Sequence, residues 1–401
     1  MSGKSSDNSE LPNVCLVLPS PSPRVPEAFS IRVSDLLQLF KPSSNAIYVI
    51  TGHIMQSRLS DNEKQDVFFT GNASCLVSGS PFFSMVFGEL KTYFQVNLAL
   101  LKLPKSVKII FWRGRPSTYF IPLILSKILG KKAILFVEGR GFELVSEFYT
   151  GPFGIGGRIL SQIYRLIEVL SYSIADVITV NVPSLLDKPL GARYHKKVFS
   201  LPISDRYIHS NFTISKPVEH RKTLIGYIGR LSQEKGVLNL VHAIPSICNK
   251  VQDAEFLICG DGPLLQYIQN ELSEMIETDR VQMVGWVSYD ELPHYLNEMK
   301  LLILPSYYEG LPHTMLEAMA CGTPVLATAV GAIPDVITDR ETGFIIEDNS
   351  PEHIEANTLR ALSWTKLKEL SWNARSFAEV NYNYEVLAQK YKMLLTQIAE
   401  K

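Results

Sequence analysis

Two glutamates, Glu309 and Glu317, bracket the stretch EGLPHTMLE. The preceding LLILPSYY reads as a buried strand, and the following AMACGTPV reads as the end of a helix and a turn. Pro312 suits the first position of a helix. Glu309 then lies in the loop before the helix. Glu317 falls in its second turn, with the side chain leaning back toward the N-terminus. At about 1.5 Å per residue, Glu317 sits about 7.5 Å along the axis from Pro312. Between the acids come Gly310, Leu311, Pro312, His313 and Thr314, with the amides that a helix start leaves open. Such amides attract an anion, and carboxylates accept hydrogen bonds from hydroxyls. The pattern suits a polyhydroxylated ligand with an anionic centre. In the competing account both acids merely favour the positive end of the helix. That accounts for Glu309 but leaves the surrounding glycine and prolines without a purpose.

A second cluster lies in IGYIGRLSQEKGVLNL. Gly229 ends a strand, Arg230 and Lys235 follow, and Gly236 opens the next helix. Two cations beside a helix start form a ready anion site. Arginine offers a fork for phosphate oxygens and lysine a point charge. Taken alone, they could equally be solvated loop charges. The dinucleotide fingerprint G-x-G-x-x-G is absent. In LICGDGPLL, Gly260, Asp261 and Gly262 form a tight turn between strand and helix, which by itself is ordinary turn chemistry.

The elements around these residues alternate. VCLVLPS, AIYVIT, DVFFTG, VKIIFWRG, KAILFVEG and DVITVN read as strands, with helix-like segments between several of them. A polar, unpatterned run over 209–222 reads as a linker. A second alternation follows: TLIGYIG, AEFLICGDG, VQMVGW, LLILPS, PVLAT and GFIIE as strands with helices between. Apolar strands separated by helices argue for parallel sheets covered on both faces. The expected architecture is α/β: two Rossmann-like doubly wound domains facing across a cleft, with ligands beyond the carboxyl ends of the strands. The expected boundaries are a disordered tail at 1–12, a first domain at 13–215 and a second, ligand-binding domain at 216–378. A C-terminal helix at 379–401 is expected to cross back to the first domain. Trp112, Arg113 and Arg115 follow a strand and either line the cleft or cap the next helix. His53, His195 and His294 show no partner pattern.

Length and composition agree. A chain of 401 residues suggests at least two domains. With 46% hydrophobic and 20% charged residues it is globular. A formal net charge of -1 offers no field for nucleic acid. Cys15, Cys75, Cys248, Cys259 and Cys321 lack metal-site spacing and read as free buried thiols of a reducing compartment. The N-terminal residues lack the apolar core of a signal peptide. Residues 82–103 are too often interrupted by polar side chains to be a good membrane span. The expected location is the cytoplasm. Peripheral contact with the inner face of a membrane is suggested by 82–103 and by FIPLILSKILGKK, with Lys127, Lys131 and Lys132 as its cations. A buried helix of an α/β domain is equally apolar and is the competing account.

Together GRLSQEKG, GDGPL, EGLPHTMLE and EAMACGTPVLATAVGAIPDVI with TGFII resemble the retaining glycosyltransferases of family 4, which have the GT-B fold. The resemblance is close over roughly 223–346. It implies a nucleotide-sugar donor bound mainly by the second domain. By it, Arg230 and Lys235 hold the diphosphate, Glu309 contacts the donor sugar and Glu317 takes the ribose hydroxyls. Gly310, Leu311 and Pro312 line the sugar, and His313 and Thr314 approach the phosphates. Gly229, Gly260 and Gly262 shape the donor site, with Gly285, Trp286 and Val287 near the base. It also implies front-face transfer with retention, the leaving phosphate helping to deprotonate the acceptor. No Asp-x-Asp is placed to hold a metal, so neither metal nor other cofactor is expected.

The first half departs from that pattern. LPSPSPRVPEAFS replaces a glycine-rich loop; Ser20, Ser22 and Arg24 could substitute through side chains. Glu138, in EGRGFE, stands where relatives carry His or Asp. It is a catalytic candidate as polar anchor or acceptor-side base, with Arg140 beside it on the acceptor side. LPISDRYI replaces an Asn-Gly pair. The function expected is hexosyl transfer to a glycan or lipid-linked acceptor, in polysaccharide or glycolipid assembly. The alternatives are a nucleotide-sugar epimerase, a sugar phosphorylase of the same fold, and a silent glycan-binding protein. A phosphorylase needs a pyridoxal-bearing lysine and a longer chain. The intact set of four charged residues argues against a silent protein.

Overall fold

The computed structural model describes residues 11–18, 26–51, 67–71, 82–114, 119–137, 159, 161–181, 193–199, 201 and 203–400. Of the expected tail at 1–12, only Leu11 and Pro12 fall among them. The chain divides into two compact units, changing over at Asp205/Arg206 and again at Val386/Leu387. The sequence placed these changes at 215/216 and 378/379.

In the first unit, β1 (Asn13–Leu18), β2 (Ala46–Thr51), β3 (Val67–Gly71), β4 (Val107–Arg113), β5 (Lys132–Val137) and β6 (Val177–Val180) form one sheet. Its order is β3-β2-β1-β4-β5-β6, and every pairing is parallel. Val14 to Leu18 are all buried, as a strand covered on both faces requires. On one face Cys15, Val17, Trp112 and Leu135 pack with Val96, Leu123 and Tyr172 from three helices. On the other, Phe40 meets Phe111 with ring centroids 5.1 Å apart and Tyr391 at 4.8 Å. Tyr391 brings the C-terminal residues onto this unit, and its hydroxyl donates to the Ser204 carbonyl at 3.2 Å.

In the second unit, β7 (Leu224–Ile228), β8 (Glu255–Cys259), β9 (Val281–Gly285), β10 (Leu301–Leu304), β11 (Val325–Thr328) and β12 (Phe344–Ile346) form a parallel sheet. Its order is β12-β11-β10-β7-β8-β9. Counted from its own first strand, each sheet winds 3-2-1-4-5-6, as doubly wound folds do. The winding direction reverses between β1 and β4, and between β7 and β10. All twelve strands read from the sequence are present. They were legible because each is an apolar run bounded by turn residues.

The stretch 209–222 is no loose linker. Arg221 is 3% exposed. Its guanidinium donates to the carbonyls of Lys216 (2.8 Å), Leu296 (3.2 Å), Met299 (2.8 Å) and Cys321 (2.7 Å) and to Thr323 Oγ1 (2.8 Å). Burial pulls its pKa down to about 10, so it remains charged at neutral pH. Composition cannot register such an anchor, because its partners are mostly backbone oxygens from distant segments.

Cys15, Cys248, Cys259 and Cys321 are free and buried, and Cys75 lies outside the described residues. Burial raises all four thiols, Cys259 and Cys321 to about 12. Thiolate is the reactive form. These four should therefore escape iodoacetamide in the native chain at neutral pH and react after denaturation, as peptide mass spectrometry would show. Among the described residues, no helix is long and apolar enough to cross a membrane.

Candidate active site

The second unit's ligand-binding candidates gather where the winding reverses. β7 and β10 are neighbours there, and the loops beyond their carboxyl ends carry Gly229–Gly236 and Pro305–Pro312. A crevice outside these strand ends is where doubly wound sheets take ligands.

Gly229 leaves β7 and turns sharply against the next loop. Its amide donates to the Cys259 carbonyl at 3.0 Å, and the Leu231 amide to the Asp261 carbonyl at 2.9 Å. Gly260 has φ +143°, and a Cβ there would lie 1.9 Å from the Gly229 carbonyl oxygen. A Cβ on Gly262 would lie 2.3 Å from the Leu231 oxygen. Both glycines are thus required by backbone against backbone, which the bare turn motif did not reveal. The Gly260 amide donates to the Gly285 carbonyl at 2.7 Å, tying in the end of β9. Beyond it Trp286 is 56% exposed.

Arg230 is partly exposed, and its Nη2 lies 2.6 Å from Glu234 Oε1. Ser232 Oγ donates to the same oxygen at 2.7 Å. Lys235 ends a short 3₁₀ turn, Gln233–Lys235. Its Nζ donates to Glu309 Oε1 at 2.7 Å. Ser306 Oγ donates to that oxygen at 2.8 Å. Glu309 is much the more buried partner, its side chain 9% exposed against 26% for Lys235. Among the described residues, the lysine's other N–H groups and Glu309 Oε2 make no further hydrogen bond. Beneath them Tyr227 is buried, and its hydroxyl donates to the Arg230 carbonyl at 2.8 Å. Burial first, then the charges of Glu309 and Glu234, push its pKa far up, so it stays a neutral donor. Sequence reading missed Tyr227, since a strand-end tyrosine in IGYIG looks like core.

The second loop is held as tightly. Gly331 has φ +57°, and a Cβ there would lie 2.0 Å from the Glu309 carbonyl oxygen. The Ala332 amide donates to the Gly310 carbonyl at 3.0 Å. The helix is His313–Ala320, with Pro312 at the N-cap, one residue earlier than its expected place. Leu311 and Pro312 are buried, whereas His313 and Thr314 are half-buried in the first turn.

Glu317 is 5% exposed. Arg206 Nη2 lies 3.1 Å from its Oε1, and the guanidinium carbon stands 5.0 Å from the Tyr289 ring centroid. Arg206 was also missed. The one signal was its place in LPISDRYI, where the chain departs from the family pattern.

The first unit's candidates fare differently. Ser20, Ser22, Arg24, Glu138, Arg140 and Arg115 lie outside the described residues, as does His53. Trp112 is core, and Arg113 is buried, its Nε 2.6 Å from Asp205 Oδ2. Lys127 pairs with Asp176 at 2.7 Å. Lys131 is buried and donates to the carbonyls of Pro104 and Val107. Lys132 donates to the Ile398 carbonyl at 2.9 Å. These three lysines therefore do not form the free cationic set expected of them.

Residues 211–377 match the family model described as glycosyl transferases group 1. The chain is 25% identical over 280 residues to an uncharacterized glycosyltransferase of Methanocaldococcus jannaschii, covering 64% of this chain and 75% of that protein. It is 35% identical over 114 residues to the 2-deoxystreptamine glucosyltransferase of Streptomyces kanamyceticus. That match spans 28% of this chain and 30% of the relative. The crystal structure of Anabaena HepE in complex with UDP-glucose is similar with a TM-score of 0.69 at 14% identity. The similarity extends over 96% of this chain and 99% of that one.

Proposed function

We propose, for a chain whose residues 211–377 belong to the glycosyl transferases group 1 family and whose two sheets carry the GT-B fold, a transfer of a hexosyl group from a nucleoside diphosphate sugar with retention and without a metal. The acceptor is a glycan or a lipid-linked sugar. The observation that carries this reading is the Lys235–Glu309 pair at the reversal between β7 and β10.

The chemistry follows from charge. Breaking the bond between the anomeric carbon and the phosphate oxygen leaves an oxocarbenium-like sugar and a diphosphate. Arg230, Lys235 and the open amides at His313 and Thr314 stabilise the negative charge as it grows on the leaving oxygen. Glu309, already oriented by Lys235 and Ser306, accepts hydrogen bonds from the sugar hydroxyls. The acceptor hydroxyl attacks from the side the diphosphate leaves, and its proton passes to a diphosphate oxygen. No described carboxylate is needed as a nucleophile, in contrast with a retaining glycosidase. Glu317, held by Arg206, meets the ribose, and Gly285, Trp286 and Val287 meet the base. A UDP-sugar is the first donor to try, since HepE is a GT-B neighbour solved with UDP-glucose.

Proton NMR of the product tests the stereochemistry, and an EDTA arm tests the metal. An anomer matching the donor, with activity kept in EDTA, is expected. An inverted anomer, or loss in EDTA restored by magnesium, overturns the corresponding part.

The two glutamates separate in a binding experiment. Glu317→Ala should weaken calorimetric binding of the free nucleoside diphosphate by about tenfold or more, the loss of a charged hydrogen-bond partner. Glu309→Ala should spare it, since the free nucleotide lacks the sugar. Glu317→Gln, which keeps the volume, guards against a packing artefact. Equal losses for Glu309→Ala and Glu317→Ala would overturn the assignment.

A further inference from the structure

We infer that the outer face of the first unit's helices docks on an anionic lipid bilayer. This deepens the lipid-linked acceptor proposed above, but the surface is argued and tested apart from catalysis. Helices 82–101, 120–128 and 161–174 place Val96, Leu123 and Tyr172 in one core cluster, so all three cover the same face of their sheet. Their opposite sides should be polar, as surface helices are. Instead Phe94 is 66% and Leu98 43% exposed on the first, Ile121 49% and Ile128 76% on the second, and Leu166 59% and Leu170 40% on the third. Each pair is spaced by four or seven residues, which puts it on a single stripe. Neighbouring apolar stripes on a surface mark an interaction site.

Charge decides the occupant. Lys91 on the first helix and Lys102, Lys105 and Lys108 just beyond its end are exposed. Among the described residues from 91 to 181, the only acids are Glu168, which is buried, and Asp176, which pairs with Lys127. A second copy meeting the same face would set lysine against lysine. An anionic bilayer instead satisfies both the apolar side chains and the cations. The cations are these four lysines, in place of Lys127, Lys131 and Lys132, which are held internally.

The test uses the full chain in co-sedimentation at low salt. One set of vesicles contains equal parts phosphatidylglycerol and phosphatidylcholine, and the other phosphatidylcholine alone. The native chain should pellet with the anionic vesicles. Leu98→Glu/Leu166→Glu, at exposed positions that leave the core intact, should bind about tenfold more weakly or worse. Lys102→Gln/Lys105→Gln should lose about fivefold per lysine, or about 1 kcal/mol each. Absence of native binding, or binding unchanged in the Leu98→Glu/Leu166→Glu variant, overturns the inference. So does a native dimer in light scattering that Leu98→Glu disperses. Nucleoside diphosphate release by the same variants is measured in parallel, so a failed docking surface and a failed transferase reading give different results.

Discussion

Arg230→Ala is expected to cut turnover about a hundredfold or more, with the melting temperature almost unchanged. Its only described ion pair, with Glu234, is solvent-facing and contributes little to stability. A hundredfold loss corresponds to about 2.7 kcal/mol of transition-state stabilisation, well above what that pair gives the fold. Lys235→Ala should lower turnover by a similar factor. It also leaves Glu309, with its side chain only 9% exposed, without its cation, so a small loss of stability should accompany it. Lys235→Arg keeps the charge but changes its geometry, and should recover stability better than rate. Steady-state kinetics with thermal denaturation on all three variants checks this. A drop confined to KM would mean that the two cations bind donor and leaving group equally, contradicting their role on developing charge.

The largest effect on stability is expected far from that chemistry. Arg221→Ala removes the guanidinium that serves four backbone carbonyls and Thr323 Oγ1. Each buried carbonyl left without its donor costs about 1–3 kcal/mol, and Thr323 Oγ1 still serves the Leu296 carbonyl, so about 3–5 kcal/mol is expected in all. For a unit of this size each kcal/mol is worth about 2–4 °C, so the melting temperature should fall by roughly 6–20 °C. Arg221→Lys restores one charge but not the fork, and should recover only part of it. Calorimetry decides the matter. A fall under about 3 °C would mean that the orphaned carbonyls find other partners.

Local chemistry was legible in the sequence and long-range pairing was not. The strands announce themselves because a parallel sheet buries both faces of each one, and LLIL or KAILFV can satisfy little else. The site motifs stood out because they join glycine, proline and charge at fixed offsets. Their spacing could not show that Lys235 and Glu309, 74 residues apart, share a hydrogen bond. Nor could it show that Gly331 is needed to let a backbone pass the Glu309 carbonyl. Arg221 was invisible, and Arg206 was marked only by the departure at LPISDRYI, for a related reason: a buried arginine has no periodicity, and its partners come from other segments. Lys131 misled for the same reason. A lysine beside an apolar helix looks membrane-facing until the carbonyls of Pro104 and Val107 are found to hold it.

The central claim is that the loops after β7 and β10 hold a nucleotide sugar and activate its leaving group. Incubating the full chain with a panel of nucleotide sugars, and following free nucleoside diphosphate and the donor anomeric proton, tests it most directly. The account predicts that at least one donor is consumed by the native chain with release of its nucleoside diphosphate. Arg230→Ala/Lys235→Ala, still folded by circular dichroism, should release it at least about a hundredfold more slowly. Release by that double variant at the native rate would contradict the claim.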